Sequence, residues 1–118
     1  MDNARIEGLL PLTPVVFHTL LALSEGIKHG YAIAQEVERA SRNRVRMGPG
    51  TLYGTLRRIL EQRLVEETSN PGERASHAER RRYYRLTPLG RTALHAEASR
   101  LSYLARLAAD RGVLGPEG

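Results

Sequence analysis

The feature that most constrains this chain is a sharp break, Gly48-Pro49-Gly50, that runs straight into Thr51-Leu52-Tyr53-Gly54-Thr55-Leu56-Arg57-Arg58-Ile59-Leu60-Glu61-Gln62. A proline flanked by glycines ends whatever precedes it and suits the first turn of a new helix. At about 100° per residue from Gly50, the residues Leu52, Leu56, Ile59 and Leu60 fall between about 180° and 280°, and Thr51, Gly54, Arg58 and Glu61 between about 20° and 100°. One face is therefore core. The other carries small residues near its N-terminal end, so the helix tip can lie close against another surface without side-chain obstruction. Tyr53 falls near about 300°, on the border between the faces. Two readings stand for it: a ring packed inward whose hydroxyl reaches a phosphate, or a wholly structural residue.

The segments around this helix have an order of their own. Thr13-Pro14 pairs a capping hydroxyl with a proline at the first helical position, and Val15, Val16, Leu20 and Leu23 continue an apolar pattern, so residues 13–25 read as a first helix. Ile27-Lys28-His29-Gly30 interrupts it, and Tyr31, Ile33, Ala34 and Val37 mark a second helix over 30–41. After the helix at 50–62, Leu64-Val65-Glu66-Glu67-Thr68 reads as a strand. Residues 81–86 read as another, with Arg82, Tyr84 and Leu86 on one side and Arg81, Tyr83 and Arg85 on the other. Ser69 to Arg80, polar and broken by Pro71-Gly72, is expected to be a long mobile hairpin tip. Thr87-Pro88 repeats the capped start and opens a last helix to about Arg111, which Gly112 and Gly115-Pro116 end.

Two helices supporting a third that can enter a major groove, followed by a basic hairpin, is the plan of a winged helix. The expected fold is mainly α with a small β-hairpin: a winged helix-turn-helix DNA-binding domain over 1–86, a long C-terminal dimerisation helix over 87–111 and a tail over 112–118. Dimerisation is expected because Leu94, Leu101, Leu104, Leu107 and Ala108 form a stripe that one small domain cannot cover with its own surface.

Composition narrows the function. The 118 residues hold 18 Lys and Arg against 13 Asp and Glu, a formal charge of +5 that favours polyanionic partners, and they leave no room for a separate catalytic domain. Only Lys28 is a lysine, so the positive charge sits on guanidinium groups able to grip phosphate or guanine with two parallel hydrogen bonds; a GC-rich genome would produce the same bias. The absence of cysteine excludes disulfides, thiolate metal sites and a thiol nucleophile. His18, His77 and His95 show no metal-like spacing, and the carboxylate pairs Glu36-Glu38 and Glu66-Glu67 lie near no paired histidine, nucleophile or phosphate loop. No enzyme chemistry, metal or cofactor is expected. With no signal peptide and no apolar run of the ~20 residues that span a bilayer, the expectation is a cytoplasmic protein without membrane contact.

The sequence resembles the PadR family of bacterial transcriptional regulators over about residues 12–108. The resemblance is carried by Leu20-Leu21-Ala22-Leu23 with Gly26, His29-Gly30-Tyr31, Gly50-Thr51-Leu52-Tyr53, Leu56 with Leu64-Val65, and Tyr84-Arg85-Leu86-Thr87-Pro88-Leu89-Gly90. It implies a winged helix whose C-terminal helix pairs with its twin, binds palindromic operator DNA and usually represses a nearby promoter. A single short C-terminal helix is similar to the shorter branch of the family. Two departures stand out. Gln62-Arg63 occupies the place where the family often has glycine, and the chain has no tryptophan with which to sandwich flat aromatic drugs, as some relatives do at the dimer interface.

The expected DNA contacts are Gly50, Thr51, Tyr53, Gly54, Thr55, Arg57 and Arg58 on the reading helix and Arg80, Arg81 and Arg82 as a phosphate clamp at the hairpin base. Arg42, Arg44 and Arg46, before that helix, could serve likewise. Arg58 lies near the middle of the free face but a full turn beyond the tip; it meets base edges, or it meets phosphate while Thr51 and the backbone near Gly54 read the bases. His29-Gly30-Tyr31 reads as a helix start with packing roles. Beside sequence-specific DNA binding as a homodimer stand two alternatives, a winged-helix protein-docking module and a regulator answering an unknown small-molecule effector.

Overall fold

The computed structural model describes residues 2–69 and 82–115. Its elements are α1 (Asp2–Leu9), α2 (Pro14–Leu23), β1 (Lys28–His29), α3 (Gly30–Ala40), α4 (Pro49–Glu61), β2 (Val65–Thr68), β3 (Tyr83–Leu86) and α5 (Pro88–Asp110). The protein is thus mainly helical with a small sheet, and the helices expected at 13–25, 30–41, 50–62 and 87–111 appear within two residues of those bounds. The expected hairpin tip, with Arg80 and Arg81, lies outside the described residues.

Each helix begins as its local chemistry dictates. The Thr13 hydroxyl accepts from the Val16 amide at 3.2 Å, and the Thr87 hydroxyl accepts from the Gly90 amide at 3.0 Å. At α3 the cap is an imidazole: His29 Nδ1 accepts from the Ala32 amide at 3.2 Å, while its ring stacks on Tyr31 and meets Tyr83 edge-on. Gly48 precedes α4 without a side-chain cap, and Pro49 fills the first turn, where no amide would have found a partner.

The sheet has three strands in the order β1-β3-β2, all antiparallel, where a two-stranded hairpin was expected. The extra strand comes from Lys28-His29, which pair with Tyr84 and Tyr83. Tyr83 and Tyr84 point to opposite faces, yet both are buried: Tyr84 joins the central core, and Tyr83 is edge-on to His29. Arg82 stands just before β3 instead of within it.

A second difference is α1, where no element was expected. Ile6 is buried in the core, and the Arg5 guanidinium donates to the Gln62 carbonyl at the end of α4, so α1 ties the far end of α4 to the rest of the domain.

The exit from α4 turns on Arg63, whose φ of +62° lies in the left-handed region, with the Leu64 amide donating to the Ile59 carbonyl at 2.9 Å. The chain therefore makes the turn that glycine ordinarily favours with an arginine in its place. Leu64 is fully buried, and α5 starts directly on top of its backbone. The Thr87 amide donates to the Leu64 carbonyl at 3.1 Å, the Thr87 hydroxyl donates to the Arg63 carbonyl at 2.6 Å, and a Cβ on Gly90 would lie 1.9 Å from the Leu64 oxygen. Only glycine permits this approach.

The core unites Leu20 and Leu23 of α2, Ile33 and Val37 of α3, Leu56 and Ile59 of α4 and Leu64 with Tyr84 of the sheet region. The first half of α5 closes it with Ala93 and Leu94. Leu94 was expected at the dimer interface; at 8% exposure it belongs to the protomer's own core, because it lies in the part of α5 that still runs over the domain. Glu97, 2% exposed, marks the limit of that cover. Arg100 holds its carboxylate through two 2.8 Å hydrogen bonds, and the Leu12 amide adds a third partner. Beyond it the helix leaves the domain, with Leu101, Tyr103 and Leu104 exposed and Leu107 and Ala108 half-buried. The radius of gyration, 16.1 Å, exceeds the roughly 13–14 Å of a compact chain this long.

Candidate nucleic-acid interface

The α4 helix divides as its periodicity requires. Leu52, Leu56 and Ile59 are buried, while Gly50, Thr51, Tyr53, Gly54, Arg57, Arg58 and Glu61 are exposed. Thr55 is the exception among the expected DNA contacts. At 5% exposure its side chain is buried at the edge of that face, because its position falls nearer the buried arc than its polarity suggests.

The N-terminal end of α2 forms one wall beside this face. Thr13 and Val15 join Gly50, Thr51, Gly54, Thr55 and Arg58 around a shallow groove of about 370 Å³. A Cβ added at Gly50 or Gly54 would meet nothing within 4 Å. The described packing therefore does not need these glycines, and Gly54, in the helix interior, costs about 1 kcal/mol relative to alanine. Gly90 differs, since there a neighbouring backbone requires the missing side chain.

Charge gathers around the same surface. Arg57 and Arg58 make no ion pair among the described residues, whereas Lys28, Arg39, Arg46, Arg82, Arg85 and Arg100 each face a carboxylate. Arg42 and Arg44 are exposed in the loop before α4, where Arg42 and Asn43 take successive left-handed conformations at φ +55° and +64°. Arg82 is exposed beside the sheet, with Glu67 3.9 Å away, too far for a hydrogen bond. Burial, helped by the Glu67 charge, holds the Tyr84 phenol above its ordinary range, against the opposing pull of the nearby Arg82. No group of His, Asp and Glu among the described residues could hold a metal ion.

Residues 19–96 match the model of the transcriptional regulator PadR-like family. The protein belongs to this PadR-like family. The chain is 39% identical over 93 residues to the transcriptional regulator Rv3488 of Mycobacterium tuberculosis, covering 78% of this chain and 79% of that protein. It is also 40% identical over 85 residues to an uncharacterized 37.1 kDa protein in transposon TN4556 of Streptomyces fradiae, a match covering 72% of this chain but only 22% of that protein's length. Among solved structures, a PadR family transcription regulator from Clostridium difficile R20291 superposes with a TM-score of 0.68 at 21% identity, over 83% of this chain and 97% of the other. A PadR-like regulator from Bacillus cereus gives 0.66 at 18% identity, over 95% and 99%. At those identities the superpositions establish the fold alone.

PadR-like proteins are transcriptional regulators, not enzymes. The family match takes in the whole of α3, α4 and the sheet and stops just before Glu97, so α1 and the outer half of α5 lie beyond it. No helix among the described residues is long and apolar enough to cross a membrane. Sequence reasoning missed two parts of the surface. The wall at Thr13 and Val15 was hidden because those residues read only as a helix start, and Tyr31, 66% exposed, because it read as packing.

Proposed function

We propose that this PadR-like regulator is a cytoplasmic, sequence-specific DNA-binding repressor that grips a palindromic operator as a homodimer. The observation that carries the reading is the exposed face of α4, where open-sided glycines stand beside two arginines that make no ion pair among the described residues. Helix-weakening glycines that the fold does not use are accounted for by a partner whose surface comes within backbone distance. The arginines beside them suit phosphate oxygens and guanine edges. In this reading Gly50, Thr51, Gly54 and Arg58 lie along the major groove, Tyr53 and Arg57 flank it, and Arg82, with Arg80 and Arg81, clamps the adjoining backbone.

The dimer rests on the outer half of α5. Leu94, Glu97, Leu101, Leu104 and Ala108 form one continuous stripe, whose first part the domain covers and whose second part it leaves bare. Val113 and Leu114 extend the bare apolar surface. A second copy crossing there buries it and sets two α4 helices about a two-fold axis. The operator is then an inverted repeat with half-sites about 10 base pairs apart, or a multiple of that.

Selection from genomic fragments, followed by footprinting, recovers the operator; protection of a single asymmetric half-site at saturation counts against the dimer. Arg58→Ala and Arg82→Ala, each titrated on operator and scrambled DNA at two salt concentrations, then separate base reading from backbone gripping. Arg58→Ala costs about 1–3 kcal/mol on the operator and relaxes one position per half-site, whereas Arg82→Ala weakens both DNAs alike and flattens the salt dependence. Wild-type protein with no affinity for any DNA, or an affinity indifferent to salt, rejects the assignment.

A further inference from the structure

A cavity of about 450 Å³ opens between α3 and α4, beside the proposed DNA surface and distinct from the groove at Gly54. Its floor is apolar, formed by Ala34, Met47 and Leu52, and its rim carries Tyr31 and Tyr53, which are 66% and 55% exposed. The Tyr53 ring reaches across to α3, where a Cβ on Gly30 would stand 3.5 Å from its hydroxyl. Two largely exposed aromatic rings, Tyr31 with His29 stacked on one side of it and Tyr53, around a hollow of this size make a ligand-sized site with a hydrophobic base.

Among the described residues, Glu38 is the only charged one in the lining. One carboxylate oxygen, Oε2, accepts from the Met47 amide at 3.0 Å, with the Arg46 Nε 3.9 Å from the same atom. Oε1 takes no hydrogen bond among the described residues. Arg46 lies outside the lining with its side chain 76% exposed, so water screens its pairing with Glu38. In a chain of net charge +5, this cavity is a local negative spot lined by two tyrosines, whose rings attract cations. Such a lining disfavours phosphate and favours a flat organic cation, with its ring on the tyrosines and its ammonium on Glu38.

We infer that the cavity between α3 and α4 binds a small aromatic cation of the arylalkylammonium class, and that its occupancy competes with DNA at Tyr53. The binding half of this inference stands alone, and the competition half rests on the proposed DNA-binding role of α4. An effector held here acts by taking a contact residue from the operator surface, with no need for a change of dimer geometry.

Tryptamine is a suitable probe, because the chain has no tryptophan and the indole emission of the ligand is read without protein background. Indole-3-propionate, of similar size but negatively charged, is the control. The expected result is saturable tryptamine binding about tenfold or more tighter than that of the anion, and about tenfold weaker in Glu38→Gln. That variant keeps a carbonyl oxygen for the Met47 amide, and an unchanged melting temperature certifies its fold. Equal affinity for the two indoles, or a folded Glu38→Gln that binds tryptamine as wild type does, overturns the site. In a second arm, tryptamine releases fluorescent operator from wild type at about tenfold lower concentration than from Glu38→Gln. Operator that stays bound while tryptamine saturates the cavity refutes the competition. Protein that binds tryptamine as described but no DNA supports the cavity and rejects the DNA-binding reading.

Discussion

Replacing Gly90 by alanine is the substitution whose effect follows most directly from the geometry. The new Cβ would stand 1.9 Å from the Leu64 oxygen and 2.8 Å from its carbonyl carbon. Both are backbone atoms, so no rotamer relieves the contact. Restoring an ordinary separation of about 3.4 Å requires α5 and the chain at Leu64 to part by about 1.5 Å, the difference between 3.4 and 1.9 Å. That movement pulls on the Thr87 amide bond to Leu64 and the Thr87 hydroxyl bond to Arg63. Overpacking that displaces backbone costs about 1–3 kcal/mol, and each strained hydrogen bond about 1 kcal/mol more. Alanine's better helix propensity offsets about 1 kcal/mol of this, which leaves a net destabilisation of about 2–4 kcal/mol. Urea unfolding followed by far-ultraviolet circular dichroism, at one fixed protomer concentration so that any association cancels, measures it. A Gly90→Ala variant as stable as wild type would refute the proposed seat of α5 on Leu64.

Three further outcomes follow from the same contacts. Arg63→Gly relieves a left-handed arginine and raises stability by about 0.5–1 kcal/mol in the same assay; a loss of stability would mean the Arg63 side chain contributes to the fold. The Arg100 guanidinium, outweighing burial, holds the Glu97 carboxyl below its usual range, so its contribution is present above the ordinary carboxyl pKa of about 4.3 and is lost as pH falls through the lower folded value. Glu97→Gln is accordingly destabilised at neutral pH, and its deficit against wild type closes in acid; a deficit independent of pH contradicts this. Leu101→Asp places a charge on the bare stripe of α5 and should sediment as a monomer at concentrations where wild type is dimeric, with its fold intact because Leu101 is exposed and not one of the buried core residues; a persistent dimer would move the interface elsewhere.

Much of the architecture was legible because several signals coincided. Thr13-Pro14 and Thr87-Pro88 each join a capping hydroxyl to a proline, and the helix of residues 50–62 keeps an uninterrupted apolar arc, so starts and faces could be assigned residue by residue. What escaped was short or tertiary. At α1 there are two turns with Ile6 as the only buried hydrophobe, too little for a period to emerge. At β1 there are two residues, read as a break because a strand that brief has no alternation to show. Leu94 and Leu101 look alike in sequence and differ only in where the domain ends beneath α5, and Thr55 looks like Thr51, one turn earlier, until the fold shows it buried. Glu97 drew no notice, because its partners, Arg100 and the Leu12 amide, become significant only once the chain between α1 and α2 is placed against α5.

The central claim, that α4 lays its glycine-bearing face against DNA, is tested most directly by the operator affinity of Gly54→Ala. A methyl at this position meets nothing within 4 Å among the described residues, so helix propensity should raise stability by about 0.5–1 kcal/mol, and a higher melting temperature shows that the domain is intact. Fluorescence anisotropy on labelled operator then reads the contact alone. The account predicts a more stable protein whose operator affinity falls by about tenfold or more, since a close backbone approach tolerates no added methyl. A Gly54→Ala protein that is stabilised and binds the operator as tightly as wild type would contradict it.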